Sequence, residues 1–224
     1  MRPERNVVSL LRLPSLWLLL ALGVVQIAAP LVRGGSSDSP GLPVLSAYLL
    51  ILVGSILVMG RRPYFRWIAI VLTLPIVGIG FGVLFPDVGR RDLVIGAFAI
   101  PLLGLVSWSV LEHAFQGARV DLDRILASAA VFLLLAQWWG GVFALVEWLA
   151  PGSFERSVDG PPLLWGELVY FSGVSLTTLG YGDILPSGPL ARSLAGLEAM
   201  SGLFFMAVIV ARFAGRIGLE SQDS

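Results

Sequence analysis

The chain has 224 residues and zero formal net charge; 56% of its residues are hydrophobic, 13% are charged, and the mean hydropathy is +0.86. Soluble domains average about 45–50% apolar and about 25% charged residues, so this composition selects an integral membrane protein. Cysteine is absent and His113 is the sole histidine, which excludes disulfides, thiolate chemistry and a multi-histidine metal site within one chain.

A membrane-spanning helix takes about 20 mainly apolar residues, with a range of roughly 17–25. In chain order, six segments qualify: 16–32, 43–60, 64–85, 93–111, 125–150 and 190–213. The first follows an arginine-rich start and ends near Ala28-Ala29, a pattern shared with signal peptides; its long apolar stretch favours a retained helix. The loop "RGGSSDSPGL" (33–42) reads as a flexible external turn. Pro75, Gly78, Gly80 and Gly82 give the third segment the look of a tightly packed or kinked helix. The fourth, "LVIGAFAIPLLGLVSWSVL", is expected to be interrupted at Pro101 and carries no arginine, whereas a voltage sensor needs arginines at regular spacing. Steep voltage gating is therefore not expected. Glu112 and His113 close this segment as interfacial residues, with pH sensing as the competing role for His113. In the fifth, Gln137 is placed for an interhelical hydrogen bond, Trp138 and Trp139 for packing, and Glu147 for a local structural role beside Trp148 near the outer surface. Residues 163–176 are apolar but too short to span, which marks a re-entrant or buried segment.

Arginine placement sets the orientation, because cytoplasmic loops carry an excess of basic residues. With the N-terminus inside, Arg2, Arg5, Arg12, Arg61, Arg62, Arg66, Arg119, Arg124, Arg212 and Arg216 fall on the inner side, against Arg33, Arg90, Arg91, Arg156 and Arg192 outside. Both termini are thus expected in the cytoplasm of a multi-pass cell-membrane protein, and residues 163–176 enter from the outer side.

The turn "TTLGYGD" (177–183) follows that short segment. Irregular backbone at membrane depth is tolerated only where it is buried in protein or lines a water-filled path. Gly180 and Gly182 permit positive φ, so alternating conformations along Thr178, Leu179, Gly180, Tyr181 and Gly182 can aim successive carbonyls in one direction. A row of carbonyls facing an axis replaces the hydration shell of a cation. One chain supplies one row, so enclosing an ion needs several chains. The side chains of Leu179 and Tyr181 are expected to point away from the ion and pack the turn in place.

"VYFSGVSLTTLGYGDILP" resembles the pore helix and selectivity filter of the potassium channel superfamily, whose common form is TVGYGD. The resemblance extends over residues 142–214, roughly a third of the chain. It implies a homotetramer with the filter on the fourfold axis and potassium held at Thr178, Leu179, Gly180 and Tyr181, with Gly182 completing the filter. It also implies an extracellular mouth near Asp183, a cavity below Thr178, and a pore helix whose negative C-terminal end, near Thr177, faces that cavity. Leu179 stands where valine is usual. Paired tryptophans that brace the filter in many members are replaced by Tyr170 and Phe171, and a glutamate by Val174. Phe171 cannot donate a hydrogen bond to Asp183, although Tyr170 keeps a hydroxyl, so the brace is expected to be more apolar than usual.

The last segment resembles the family's inner helix. Gly202 falls at the position of a hinge glycine, and close packing against the pore helix is the equal alternative. Phe205, Met206, Ile209 and Val210 lie beyond it, and some of them are expected to line the cavity or lower gate. Glu198, a carboxylate at membrane depth, is expected to hydrogen-bond behind the pore helix to Ser172, Ser175 or Thr177 and so join the filter support; a proton-sensitive gate is the other reading.

The expected architecture is an all-α integral membrane protein of six transmembrane helices, with a re-entrant pore helix and filter between the fifth and sixth. It divides into a four-helix region of unassigned role (1–120), a pore domain (121–214) and a short cytoplasmic tail (215–224). The expected function is a passive potassium-selective channel, not an enzyme, with potassium as permeant ligand and no cofactor. Its expected partners are lipid and further copies of the chain, with no nucleic acid or small-molecule substrate. A weakly selective cation channel and a non-conducting sensor or accessory subunit are the alternatives.

Overall fold

The computed structural model describes residues 13–32, 63–80, 88–116, 121–158, 160 and 162–220. The expected span at 43–60 lies outside them. The described elements are α1 (Pro14–Val32), α2 (Pro63–Gly80), α3 (Val88–Phe115), α4 (Leu122–Leu149), β1 (Phe154–Arg156), α5 (Trp165–Leu176), β2 (Ile184–Pro186) and α6 (Pro189–Glu220). Segments within α3 (Val94–Phe115), α4 (Leu122–Leu149) and α6 (Pro189–Ala214) are long and apolar enough to cross a bilayer; α1 and α2 contribute shorter apolar stretches.

One expectation changes. Pro101 does not interrupt the fourth segment, because α3 runs unbroken from Val88 to Phe115 with Pro101 inside it. A proline removes one backbone hydrogen bond, but neighbouring helices and local adjustment re-satisfy the freed groups within a membrane. The expected span at 190–213 lies within α6, which continues as helix to Glu220.

Helix directions follow from the ties between them. The Ser15 amide donates to Asp123 Oδ1 (3.1 Å), and Gln137 Nε2 donates to Gln26 Oε1 (2.7 Å), so α1 and α4 run parallel. His113 Nε2 lies 2.8 Å from Asp123 Oδ2, which sets the end of α3 beside the start of α4 in an antiparallel pair. Asp121 caps α4 by accepting from the Arg124 amide (3.0 Å), satisfying one of the orphan donors of a helix start.

Two cores result. The larger joins α1, α2, α3 and α4 through small and branched apolar residues, among them Leu18, Leu22, Ala69, Ile76, Leu103, Val106, Ala127, Ala130 and Leu134. The second lies at the other end of α4 and is aromatic. Phe143, Phe154 and Phe171 meet pairwise at 5.3 Å between ring centroids, and Trp139 stacks on Phe143 at 5.8 Å. Leu168, Ile184 and Ala191 complete it. Trp17, Trp67 and Trp108 are exposed, as lipid-facing helices allow.

A two-stranded antiparallel ribbon was not expected. β1 pairs with β2 so that Phe154 faces Pro186, Glu155 faces Leu185 and Arg156 faces Ile184. The ribbon ties the segment after α4 to the segment after the 177–183 turn.

Candidate functional site

The site is the module α4–α5–turn–α6. Helix α5 has only 12 residues, too few to cross a bilayer, and it is wedged between its neighbours. Close approach to α4 depends on Gly140 and Gly141. A Cβ on Gly140 would lie 2.5 Å from Val169 Cα, and one on Gly141 would lie 2.9 Å from the Trp165 ring. Glu167 anchors the start of α5: its carboxylate accepts from the Leu164 amide (2.8 Å) and pairs with Arg156, placing negative charge at the positive end of the helix.

At its C-terminus, α5 turns directly into 177–183. Val174 O accepts from the Leu179 amide (2.9 Å) and the Gly180 amide (3.4 Å), and Ser175 O accepts from the Thr178 amide (3.0 Å). The Thr177 hydroxyl donates back to Gly173 O (2.7 Å). The backbone then alternates: φ is 59° at Thr178, 60° at Gly180 and 74° at Gly182, while Leu179 and Tyr181 are not in the positive-φ region. Thr178 is the non-glycine residue with positive φ among those described, a conformation that costs a β-branched residue about 1–3 kcal/mol and gathers at functional sites. In a trans peptide, the N–H of one residue and the C=O of the residue before it point to opposite sides. Amides of Leu179 and Gly180 directed at Val174 therefore send the carbonyls of Thr178 and Leu179 away from the pore helix, toward the same side.

Residues behind the turn divide into polar ties and packing. The Tyr170 hydroxyl donates to Asp183 Oδ2 (2.8 Å), the Ile184 amide donates to Asp183 Oδ1 (3.1 Å), and the Ser157 amide donates to the Asp183 carbonyl (2.9 Å). Phe171 is buried in the aromatic cluster, so it braces by ring contact, and Val174 is buried as well. Glu198 on α6 is fully buried and accepts a short hydrogen bond from the Ser172 hydroxyl of α5; of the three hydroxyls considered, Ser172 is the one that reaches it. Gly202 sits against the end of α5, where an added Cβ would be 2.3 Å from the Leu176 carbonyl oxygen. That contact gives the packing reason for glycine at this position.

Further along α6, Phe205 leans on Phe132 of α4 (5.9 Å between rings) and Ile209 is buried, while Met206 and Val210 are exposed. Leu179 and Tyr181 are 55% and 64% exposed. The packing expected of these two side chains is not supplied by the described residues of their own chain.

Sequence reading missed Glu167, the Arg156 pair and Gly140. The glutamate three residues after Leu164 was a legible helix-start signal. Gly140 carried no such sign, because its role depends on which residue of α5 lies opposite.

A long helix pair enclosing a short helix and an irregular turn is the framework of a membrane ion channel. A family model described as "Ion channel" matches residues 126–218. The inward rectifier potassium channel Kirbac3.1 of Paramagnetospirillum magnetotacticum is 34% identical over 112 residues, 48% of this chain and 31% of that one. The uncharacterized membrane protein YdjJ of Bacillus subtilis (strain 168) is 30% identical over 90 residues, 37% of this chain and 26% of that one. Protein LctB of Bacillus caldotenax is 32% identical over 129 residues, 53% of this chain and 90% of that one. The chain thus spans less than a third of the first two relatives and nearly all of the third. No solved structure matches it. Residues 126–218 of the chain belong to the family of two-helix ion channel domains.

Proposed function

We propose that the chain forms a homotetrameric, potassium-selective channel in the cell membrane that conducts passively and is not steeply voltage-gated. The observation that carries this reading is the alternating backbone at Thr178, Gly180 and Gly182. Four such turns around an axis present rings of Thr178, Leu179, Gly180 and Tyr181 carbonyls to a dehydrated cation, with Gly182 and Asp183 at the mouth. The matched potassium channel relative supports the choice of ion. The exposed apolar side chains of α6, including Leu203, Phe204 and Met206, and the exposed Leu179 and Tyr181 favour neighbouring copies as their cover.

The helix directions fit a six-span topology, and arginine placement favours both termini in the cytoplasm. Parallel α1 and α4, with α3 opposed to α4, need an even number of crossings between α1 and α3. Residues 94–115 contain no arginine, in keeping with weak voltage dependence.

Purified protein in liposomes tests the reading. Potassium flux without a partner protein is expected, with bi-ionic reversal potentials favouring potassium over sodium. Exchange of potassium for sodium should lower the tetramer's melting temperature; a site held at 100 times its dissociation constant contributes about 2.7 kcal/mol. Equal permeability would select the weakly selective channel, and absence of flux the accessory subunit.

A further inference from the structure

Helices α1 to α3 lie outside the matched two-helix module, and Arg212 ties them to its last helix. Arg212 on α6 donates from a guanidinium nitrogen to the Phe115 carbonyl oxygen (2.8 Å), and its guanidinium carbon lies 4.6 Å from the centroid of the Phe115 ring. Phe115 is the last residue of α3, so its carbonyl lacks an intrahelical partner and sits at the negative end of the helix dipole. Hydrogen bond, dipole and cation–π attraction coincide on one side chain.

The anchor is itself fixed. Two residues before Phe115, His113 meets Asp123, and the same carboxylate accepts the Ser15 amide. The start of α1, the end of α3 and the start of α4 therefore form one node, and α3 is further bound to α4 through the larger core. Against this fixed point, α6 has a fulcrum. Gly202 is seated on Leu176, and Glu198 is bonded to Ser172 one turn earlier. Arg212 lies ten residues beyond Gly202, about 15 Å along the helix, so a 10° swing about Gly202 moves it by about 2.6 Å. That displacement breaks a 2.8 Å hydrogen bond.

We infer that the α1–α3 region is a gate-controlling domain that acts on the inner helix through Arg212 and Phe115. The inference rests on the channel reading above. With α6 lining the axis, a tie to α3, which packs on the outer helix, draws the inner end of α6 outward. The contact therefore favours the conducting position, and movement of α1–α3 within the membrane is transmitted to the gate.

Single-channel recording of the full-length tetramer in planar bilayers tests this. Phe115→Leu and Arg212→Gln are each expected to lower open probability at least fivefold, with unitary conductance and reversal potential unchanged. The double variant should fall no further than either single one. Phe115→Trp, which keeps a stronger ring, and Arg212→Lys, which keeps the charge, should retain more than half of the wild-type open probability. Effects under twofold, additive effects or altered conductance would overturn the inference. A readout independent of conduction separates its failure from that of the channel reading. Ile209→Cys places a single thiol in a chain without cysteine, three residues before Arg212. Its modification rate by a soluble thiol reagent in proteoliposomes should change at least threefold with Phe115→Leu. An unchanged rate in a variant that still elutes as the wild-type tetramer sinks the coupling; a changed rate in a protein that passes no ions keeps the coupling and sinks the channel reading.

Discussion

The two ends of the pore module are held in different ways. Around the turn, Glu147 accepts the amides of Gly152 and Phe154 (both 2.9 Å), β1 pairs with β2, Tyr170 holds Asp183, and Arg192 donates to the Pro186 carbonyl (3.0 Å). Three phenylalanine rings fill the space behind. Beyond Gly202, α6 presents Phe204, Met206, Val208 and Val210 as exposed side chains and is held by Phe205 on Phe132, the buried Ile209 and the Arg212 bond to Phe115. A filter must hold carbonyls at fixed spacing, which demands many short-range ties. A gate must adopt two positions, which tolerates few. The difference places the denser set of ties around the turn and the sparser set beyond Gly202.

Substitutions at Gly202, Glu147, Ser172 and Tyr170 put this contrast to the test. The largest effect is expected at the fulcrum: Gly202→Ala forces apart α5 and α6 and should cost about 1–3 kcal/mol in thermal unfolding, with loss of tetramer on gel filtration. Gly196→Ala on the same helix has open space around it and should be neutral or slightly stabilising. Equal behaviour of the two would erase the fulcrum. Next, Glu147→Ala strands two loop amides and should destabilise the region around the turn by about 2 kcal/mol, whereas Glu147→Gln keeps one acceptor and should lose less. Potassium flux is expected to fall in parallel with melting temperature; a drop in stability with full flux would separate the loop from the filter.

Ser172→Ala removes the one hydroxyl donor to Glu198, whose other oxygen has no partner among the described residues. A loss of about 1–2 kcal/mol is expected, and a Ser172→Ala, Glu198→Leu double variant should recover part of it, because removing both polar partners is cheaper than stranding one. The smallest effect is expected from Tyr170→Phe. Its bond to Asp183 is partly exposed and should contribute less than about 1 kcal/mol, but flux recorded over time should decline faster as the mouth loses a tether. A variant as durable as wild type would shift the brace to the Phe171 cluster alone.

Much of the site was legible from local pattern. The apolar runs gave the helices because a bilayer fixes their length, and the glycines of the turn gave the positive-φ positions because few other residues adopt them cheaply. Thr178 is the exception: nothing in its chemistry asks for φ of 59°, and the amides of its neighbours, drawn toward Val174, impose it. Phe171 read as a missing donor. Only its two ring partners, one from α4 and one from β1, show that it packs instead of bonding. The three-residue strands were invisible because a strand that short has no period of its own and exists through its partner. Pro101 read as a break because the local rule omits the helices packed around it.

The sequence by itself determined that this is a membrane protein with an apolar segment too short to span and a glycine-bearing turn after it. Those features depend on hydropathy, segment length and backbone freedom, which are properties of consecutive residues. Only the tertiary structure decided that Gly202 is fixed by the Leu176 carbonyl, that Glu198 is met by Ser172, and that Arg212 reaches Phe115, 97 residues earlier in the chain. Each depends on which surfaces of distant helices meet, and that is set by packing across the whole chain.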